Sequence, residues 1–177
     1  ALNSLASDPE LARMGKAKIE FTADGESQFS SMSTRFFAKK SGPLYLSDID
    51  YVAAQQSQSI LRFDENVIGQ PIKMQNKAFA KALGTHAKSQ VVYYAGGQFK
   101  RFKVHPGLDQ SVEDGTVKFL VLADGRPIYE SKTVTPYSKT EPLDLDITGC
   151  KVLELRVGSS GDGINGDWAI WGNARVE

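Results

Sequence analysis

The chain has 177 residues, enough for one well-buried core with some chain to spare. Its 21 Lys+Arg balance 21 Asp+Glu, so the basic excess expected of an electrostatic nucleic-acid binder is missing. The single cysteine, Cys150, excludes an intramolecular disulfide; it follows Thr148-Gly149 with no neighbouring His, which marks a core or turn thiol rather than a nucleophile.

No apolar run is long enough to span a bilayer, and no secretory leader is visible. The sequence opens on Ala1-Leu2-Asn3, as expected of a piece trimmed from something larger. Residues 1–43 read as an N-terminal extension or linker. Within it Ser7-Asp8-Pro9-Glu10 caps a short helix running into Leu11–Met14. Lys18–Phe21 and Arg35–Ala38 read as strands around a polar, Ser-rich loop, and Ser41-Gly42-Pro43 punctuates the end.

Residues 44–177 change character: short extended segments alternate with turns, the pattern of an all-β sandwich. Strands are predicted at Leu44–Leu46, Ser59–Phe63, Ile72–Met74, Gln90–Tyr94, Arg101–His105 and Val117–Ala123. Further strands follow at Pro127–Lys132, Leu143–Ile147, Val152–Val157 and Ala169–Val176. Leu153, Leu155 and Val157 alternate with Val152, Glu154 and Arg156, which gives one buried and one wet face. Ala95-Gly96-Gly97-Gln98 and Ala123-Asp124-Gly125-Arg126 read as hairpin turns.

Polar clusters sit at the strand ends, where sandwich loops carry function. Asp48 and Asp50 are two apart and can turn towards one cation or ligand, or each can cap its own turn. His86 follows Gly84-Thr85 at a strand entrance and is either a structural residue or a ligand contact; His105, in strand alternation before Pro106, reads as structural. Asp109, in Pro106-Gly107-Leu108-Asp109, reads as a cap. The chain reads as organised around its last loop, where Gly158, Gly161, Gly163 and Gly166 place Asp162, Asn165 and Asp167 just before Trp168 and Trp171. Carboxylates and amides hold hydroxyls or a hard cation, and an indole stacks on the apolar face of a pyranose. Both tryptophans also suit the core of a last strand. No Gly-x-Ser-x-Gly, no His-Glu-x-x-His and no phosphate-cradling Gly-Lys loop is present, so an enzyme is the less favoured class.

These residues carry a resemblance. Leu44-Tyr-Leu-Ser-Asp48-Ile-Asp50-Tyr51, Leu83-Gly-Thr-His86-Ala87 and Phe99-Lys-Arg-Phe102 with Pro106-Gly-Leu-Asp109 are similar, in order, to the NPCBM family of carbohydrate-binding modules. Val117–Val121 with Ala123–Ser131, Leu145–Gly149, Leu153–Val157 and Gly161–Trp171 continue the match, so that it covers residues 44–177. The resemblance implies a galactose-binding-like β-sandwich (jelly roll) behind the short N-terminal helix and extension. It implies a non-catalytic, lectin-like module of a larger secreted bacterial protein, extracellular or periplasmic, appended to a catalytic or other domain. The ligand would be a galactoside-type glycan, with no nucleic acid and no membrane span, and a structural Ca2+ is common in the family. Where the family pattern places a His after the Asp, this chain has Trp168, which exchanges an imidazole for an indole.

On this reading the loops at 47–51, 83–87 and 158–168 converge on a shallow site at one end of the sandwich. His86, Asn165 and Asp167 would read sugar hydroxyls, Trp168 or Tyr51 would stack, and Asp48 or Asp50 would ligate calcium. The competing readings are a structural or protein-interaction sandwich without sugar binding, and a small glycosidase, which needs paired carboxylates across an open cleft.

Overall fold

The computed structural model describes residues 42–161 and 163–177. The helix and strands expected within residues 1–41, and Asp162, lie outside the described residues. Among the described residues the chain is all strand and turn, apart from one 3-10 turn at Leu46–Asp48. The strands are β1 (Leu44–Tyr45), β2 (Ala53–Gln56), β3 (Arg62–Phe63), β4 (Ile72–Met74), β5 (Lys77–Phe79), β6 (Ala82–His86) and β7 (Ser89–Tyr94). They continue with β8 (Arg101–Leu108), β9 (Val117–Ala123), β10 (Arg126–Glu130), β11 (Leu143–Asp146), β12 (Val152–Ser159) and β13 (Trp168–Val176).

Two antiparallel sheets form the sandwich. One has the order β11-β8-β13-β6-β3, with β1 also on β13; the other has the order β10-β9-β12-β7-β2. β13 is the hub of the first sheet. β8 pairs along one side of it, while β6 and then β1 share the other, and the ladder to β8 shifts register between Gly172 and Arg175.

Alternation assigns the core. Leu153, Leu155 and Val157 of β12 and Val117, Phe119 and Val121 of β9 face inward, against Leu83 of β6, Phe102, Val104 and Leu108 of β8 and Trp171 of β13. Trp171 is fully buried, and its ring meets the edge of Phe119 from the opposite sheet at 4.8 Å and 84°. The hairpin β4–β5 folds over the outer face of the first sheet and closes a second, smaller cluster of Ile72, Met74, Phe79, Ala82 and Ile170. It presses so closely that a Cβ on Gly107 would lie 2.2 Å from the Met74 sulfur.

The expected sandwich, most of its strands and the Asp124-Gly125 hairpin between β9 and β10 are present. Three expectations need correction. Ala95–Gln98 is no hairpin, because it carries the chain from β7 in one sheet to β8 in the other. β8 runs on through Pro106 and Gly107 rather than looping there. β11 stops pairing at Val104, so Pro106 sits where no neighbour asks for its missing N–H. His86 lies at the end of a strand, β6, not at an entrance. As expected, His105 is structural: it is buried edge-on to Phe79 at 5.6 Å, with Nε2 on the Thr140 carbonyl at 3.0 Å. Cys150 is a buried thiol whose Sγ donates to the Val152 carbonyl, and burial pushes its pKa up.

Trp171→Ala should cost about 3–5 kcal/mol in urea unfolding, through lost burial and a cavity. A double-mutant cycle with Phe119→Ala should return about 0.5–1.5 kcal/mol of coupling from the ring contact. A coupling near zero would mean that the two rings contribute by burial alone.

Candidate functional site

β6 and β13 build the site. Their antiparallel register sets Trp168 directly opposite His86, followed by the pairs Ala169–Thr85 and Ile170–Gly84. Trp171 faces the core, and a pleated strand sends residues three apart to opposite faces, so Trp168 and His86 share the outer face. Trp168 is half-buried, and His86 keeps 4% of its surface exposed. Nδ1 of His86 donates to the Ala87 carbonyl at 2.7 Å. In the neutral ring this leaves Nε2 as an acceptor, and that atom has no hydrogen-bond partner among the described residues.

Two residues that the sequence left unremarked or bland complete the surroundings. The loop after β3 crosses the outer face of β6 so closely that a Cβ on Gly84 would fall 2.2 Å from the Glu65 carbonyl oxygen. It brings Asn66, fully buried, towards Asp109 at the end of β8, with Nδ2 donating to Oδ2 at 3.4 Å. Asn66 Oδ1 accepts the Gln70 amide at 3.0 Å, and Asp109 Oδ1 accepts the Ser111 amide at 2.8 Å. The Asp109 amide in turn donates to the Trp168 carbonyl at 2.9 Å. Asp109 is therefore the cap expected of it and also an anchor beside the site. Nothing in Glu65-Asn66-Val67 separates Asn66 from an ordinary turn Asn.

The glycine loop serves mainly as a brace. Asp167 is 1% exposed; its Oδ1 accepts the Thr116 amide at 2.8 Å and its carbonyl accepts the Ala87 amide at 3.1 Å. It ties the approach of β9 to β13. Backbones cross at Gly115 and Gly166, where a Cβ on Gly166 would stand 2.1 Å from the Asp114 carbonyl oxygen. Asn165 is exposed on the outside of this brace, with no side-chain hydrogen bond among the described residues.

Tyr51, Asp48 and Asp50 lie at the other end of the sheet. β6 starts beside them and ends at His86, about 13 Å away at the usual strand rise. Tyr51 packs half-buried against Phe63, ring centres 6.2 Å apart. Asp48 accepts the Lys81 ammonium at 2.5 Å, and Asp64 accepts the same ammonium at 2.8 Å. The loops at 47–51 and 83–87 therefore do not converge as expected. The described residues also fit calcium poorly: a hard cation takes six to eight oxygens. A lysine head already sits between the two carboxylates, and among the described residues no cluster of three or more His, Cys, Asp or Glu forms. Partial burial disfavours the Asp64 carboxylate, but hydrogen bonds led by Lys81, with the Ala82 amide, outweigh it and hold its pKa below the usual value.

Comparison with known proteins fits this architecture. A profile of the NPCBM/NEW2 domain matches residues 42–177. The chain is 32% identical over 108 residues to a Renibacterium salmoninarum protein named "Putative endo-alpha-N-acetylgalactosaminidase", covering 60% of this chain and only 7% of that protein. Among solved structures it is similar to the CBM51-2 and INT domains of Clostridium perfringens ZmpB, at TM-score 0.72 and 29% identity over 76% of this chain and 31% of that one. The same domains have been solved in complex with GlcNAc, at TM-score 0.72 and 28% identity over 76% and 31% of the two chains. It is also similar to the CBM51 of Clostridium perfringens GH95 in complex with methyl-galactose, at TM-score 0.72 and 26% identity over 77% of this chain and 100% of that one.

Asp64→Asn and Lys81→Met should each lower the urea midpoint at neutral pH. A carboxylate with a depressed folded pKa stabilises above its unfolded value of about 3.9 and loses that contribution as pH falls through the folded value. The difference between wild type and Asp64→Asn should therefore shrink towards zero below pH of about 4. A difference that persisted undiminished well below that pH, where both folded and unfolded carboxyls are protonated, would rule out the ion pair as its source.

Proposed function

Because this chain belongs to the NPCBM/NEW2 domain family, we propose that it is a non-catalytic carbohydrate-binding module that takes galactose-type glycans on the outer face where β6 ends and β13 begins. The pairing of half-exposed Trp168 with His86 carries this reading. An indole packs on the C–H face of a pyranose, and a neutral imidazole accepts a hydroxyl proton at its free nitrogen. Asn165 lies on the brace just outside and supplies an adaptable amide. Asn66 and Asp109 hold the floor. The solved CBM51 structures with methyl-galactose and with GlcNAc support a monosaccharide-sized ligand.

A hydrolytic role is not favoured. Among the described residues, Asp109 and Asp167 beside the site are buried at 0% and 1% exposure and engaged with backbone amides, whereas a glycosidase needs two carboxyls flanking an open cleft. The chain spans a small part of its Renibacterium relative, which supports a module appended to a catalytic domain. Glycans too large to cross a membrane are met outside the cell, and this supports an extracellular position. The low exposure of His86 is the one observation that favours a sandwich without sugar affinity.

One stacked and hydrogen-bonded sugar should bind with a Kd of about 10⁻⁴ to 10⁻³ M. Titration with galactose, N-acetylgalactosamine and glucose, read by tryptophan fluorescence, should saturate in that range for the galacto-configured sugars. Trp168→Ala and His86→Ala should each weaken binding about tenfold or more, a loss of at least about 1.4 kcal/mol. Tyr51→Ala should leave it unchanged. No response at millimolar sugar, or full affinity in Trp168→Ala, would return the chain to the structural reading.

A further inference from the structure

The second sheet presents a groove that the site above does not use. It lies on the outer face of β2, β7, β12, β9 and β10, with a volume of about 650 Å³, and its lining includes Gln55, Gln90, Arg156, Lys88, Lys118 and Gly158. Register explains how it forms. Gln55 pairs with Gln90, Gln90 with Arg156, Arg156 with Leu120 and Leu120 with Glu130, so one outward row crosses all five strands. Along this floor the side chains are already ordered: Gln55 Nε2 donates to Gln90 Oε1 at 3.0 Å, and Gln90 Nε2 donates to Glu154 Oε1 at 2.5 Å. Arg156 Nε donates to the same carboxylate oxygen and neutralises it.

Towards one end the row changes. Lys118 pairs with Gly158, and Lys88 stands one step beyond the Val157–Ser89 pair, on the other side of Gly158. A Cβ on Gly158 would meet nothing within 4 Å, so the strand between the two lysines leaves a gap. At the usual strand spacing the two backbones are about 10 Å apart, a width that suits a sugar-borne anion between flexible ammonium groups. Both lysines are exposed, and neither ammonium has an ion-pair or hydrogen-bond partner among the described residues. Glu130 also lines the groove, on β10 opposite Leu120, so it is the Gly158 end, where the two unneutralised cations stand, that is complementary to an anion.

We propose that this groove is a second saccharide subsite, specific for a glycan unit bearing a carboxylate or sulfate, whose anion sits over Gly158 between Lys88 and Lys118. The Gln55–Gln90–Arg156 row then meets the neutral hydroxyls of the neighbouring unit. This rests on the reading that the chain holds saccharides, but it concerns the opposite sheet and reads out separately.

The test uses amide chemical shifts with three probes: a glucuronate-containing disaccharide, galactose 6-sulfate and neutral galactose. A charged saccharide should shift the amides of Lys88, Gly158 and Ser159, with affinity falling as salt rises; which probe does so identifies the anion. The double variant Lys88→Gln/Lys118→Gln should lose that binding about tenfold or more. It should keep the galactose response of Trp168. Equal shifts from neutral and charged sugars, full affinity in the double variant, or equal saturation by inorganic sulfate would each overturn the subsite. Loss of the galactose response at Trp168, with charged-sugar binding at Gly158 intact, would overturn the β6–β13 reading alone and leave this one standing.

Discussion

The pleat of β13 is the constraint on which both the core and the candidate site depend. Trp168 and Trp171 are three residues apart, and in a strand an odd separation sends side chains to opposite faces. Trp171 therefore bridges the sandwich to Phe119, while Trp168 is left outside beside His86. A slip of one residue would bury Trp168 and expose Trp171, losing core and site together. β6 and β8 flank β13 through this stretch and hold the register from both sides. The strand that carries Trp171 into the core is thus also the one that carries Trp168 to the candidate site.

Much of this was legible locally. The alternation of Leu153, Leu155 and Val157 marked β12, the Val117–Ala123 run marked β9, and each lands where its pattern put it. β2 went unseen because Ala53-Ala54-Gln55-Gln56 lacks the branched and aromatic residues that mark a strand; it exists because β7 offers it an edge. β5 was missed because it is held by β4 and by its cover over Ile170, not by its own Lys77-Ala78-Phe79. The larger difficulty was which loops share an end. His86 and Tyr51 are separated by the length of β6, yet in the sequence both sit in short segments next to polar residues and turns. Only the pairing of β6 with β13, more than eighty residues later in the chain, decides which of them meets Trp168.

The Asp48-Ile49-Asp50 cluster shows the same limit in electrostatic form. Two acids in a loop call for a cation, and the one supplied is Lys81, which bridges Asp48 and Asp64 from the start of β6. Asp64 stands sixteen residues beyond Asp48 and comes close only through the β3–β6 pairing. An ammonium on a flexible stem satisfies such a pair at a half-exposed surface, where an ion pair contributes modestly. Calcium would have to displace it and recruit further oxygens.

The order of the outer face bears on how binding would work. Asn66 and Asp109 are buried and hydrogen-bonded to each other and to backbone amides, and Asp167 is buried with Oδ1 on the Thr116 amide. The Asp109 amide holds the carbonyl of Trp168, and with it the start of β13, in place before any sugar arrives. The groups left to act are an indole, one imidazole nitrogen and an exposed amide. That is a small, preorganised surface: it forfeits little entropy on binding but buries too little area for high affinity. Such a site becomes effective when a second one on the same chain, or on an attached domain, engages the same polymer. The effective concentration of the second contact then multiplies two weak equilibria into a useful one. A charged groove on the opposite sheet of the same sandwich would meet that requirement only for a glycan carrying both a neutral galacto-configured end and an acidic unit. The spacing between the two surfaces then becomes a length criterion for the ligand, since a polymer too short to pass from one sheet to the other gains nothing from the second contact.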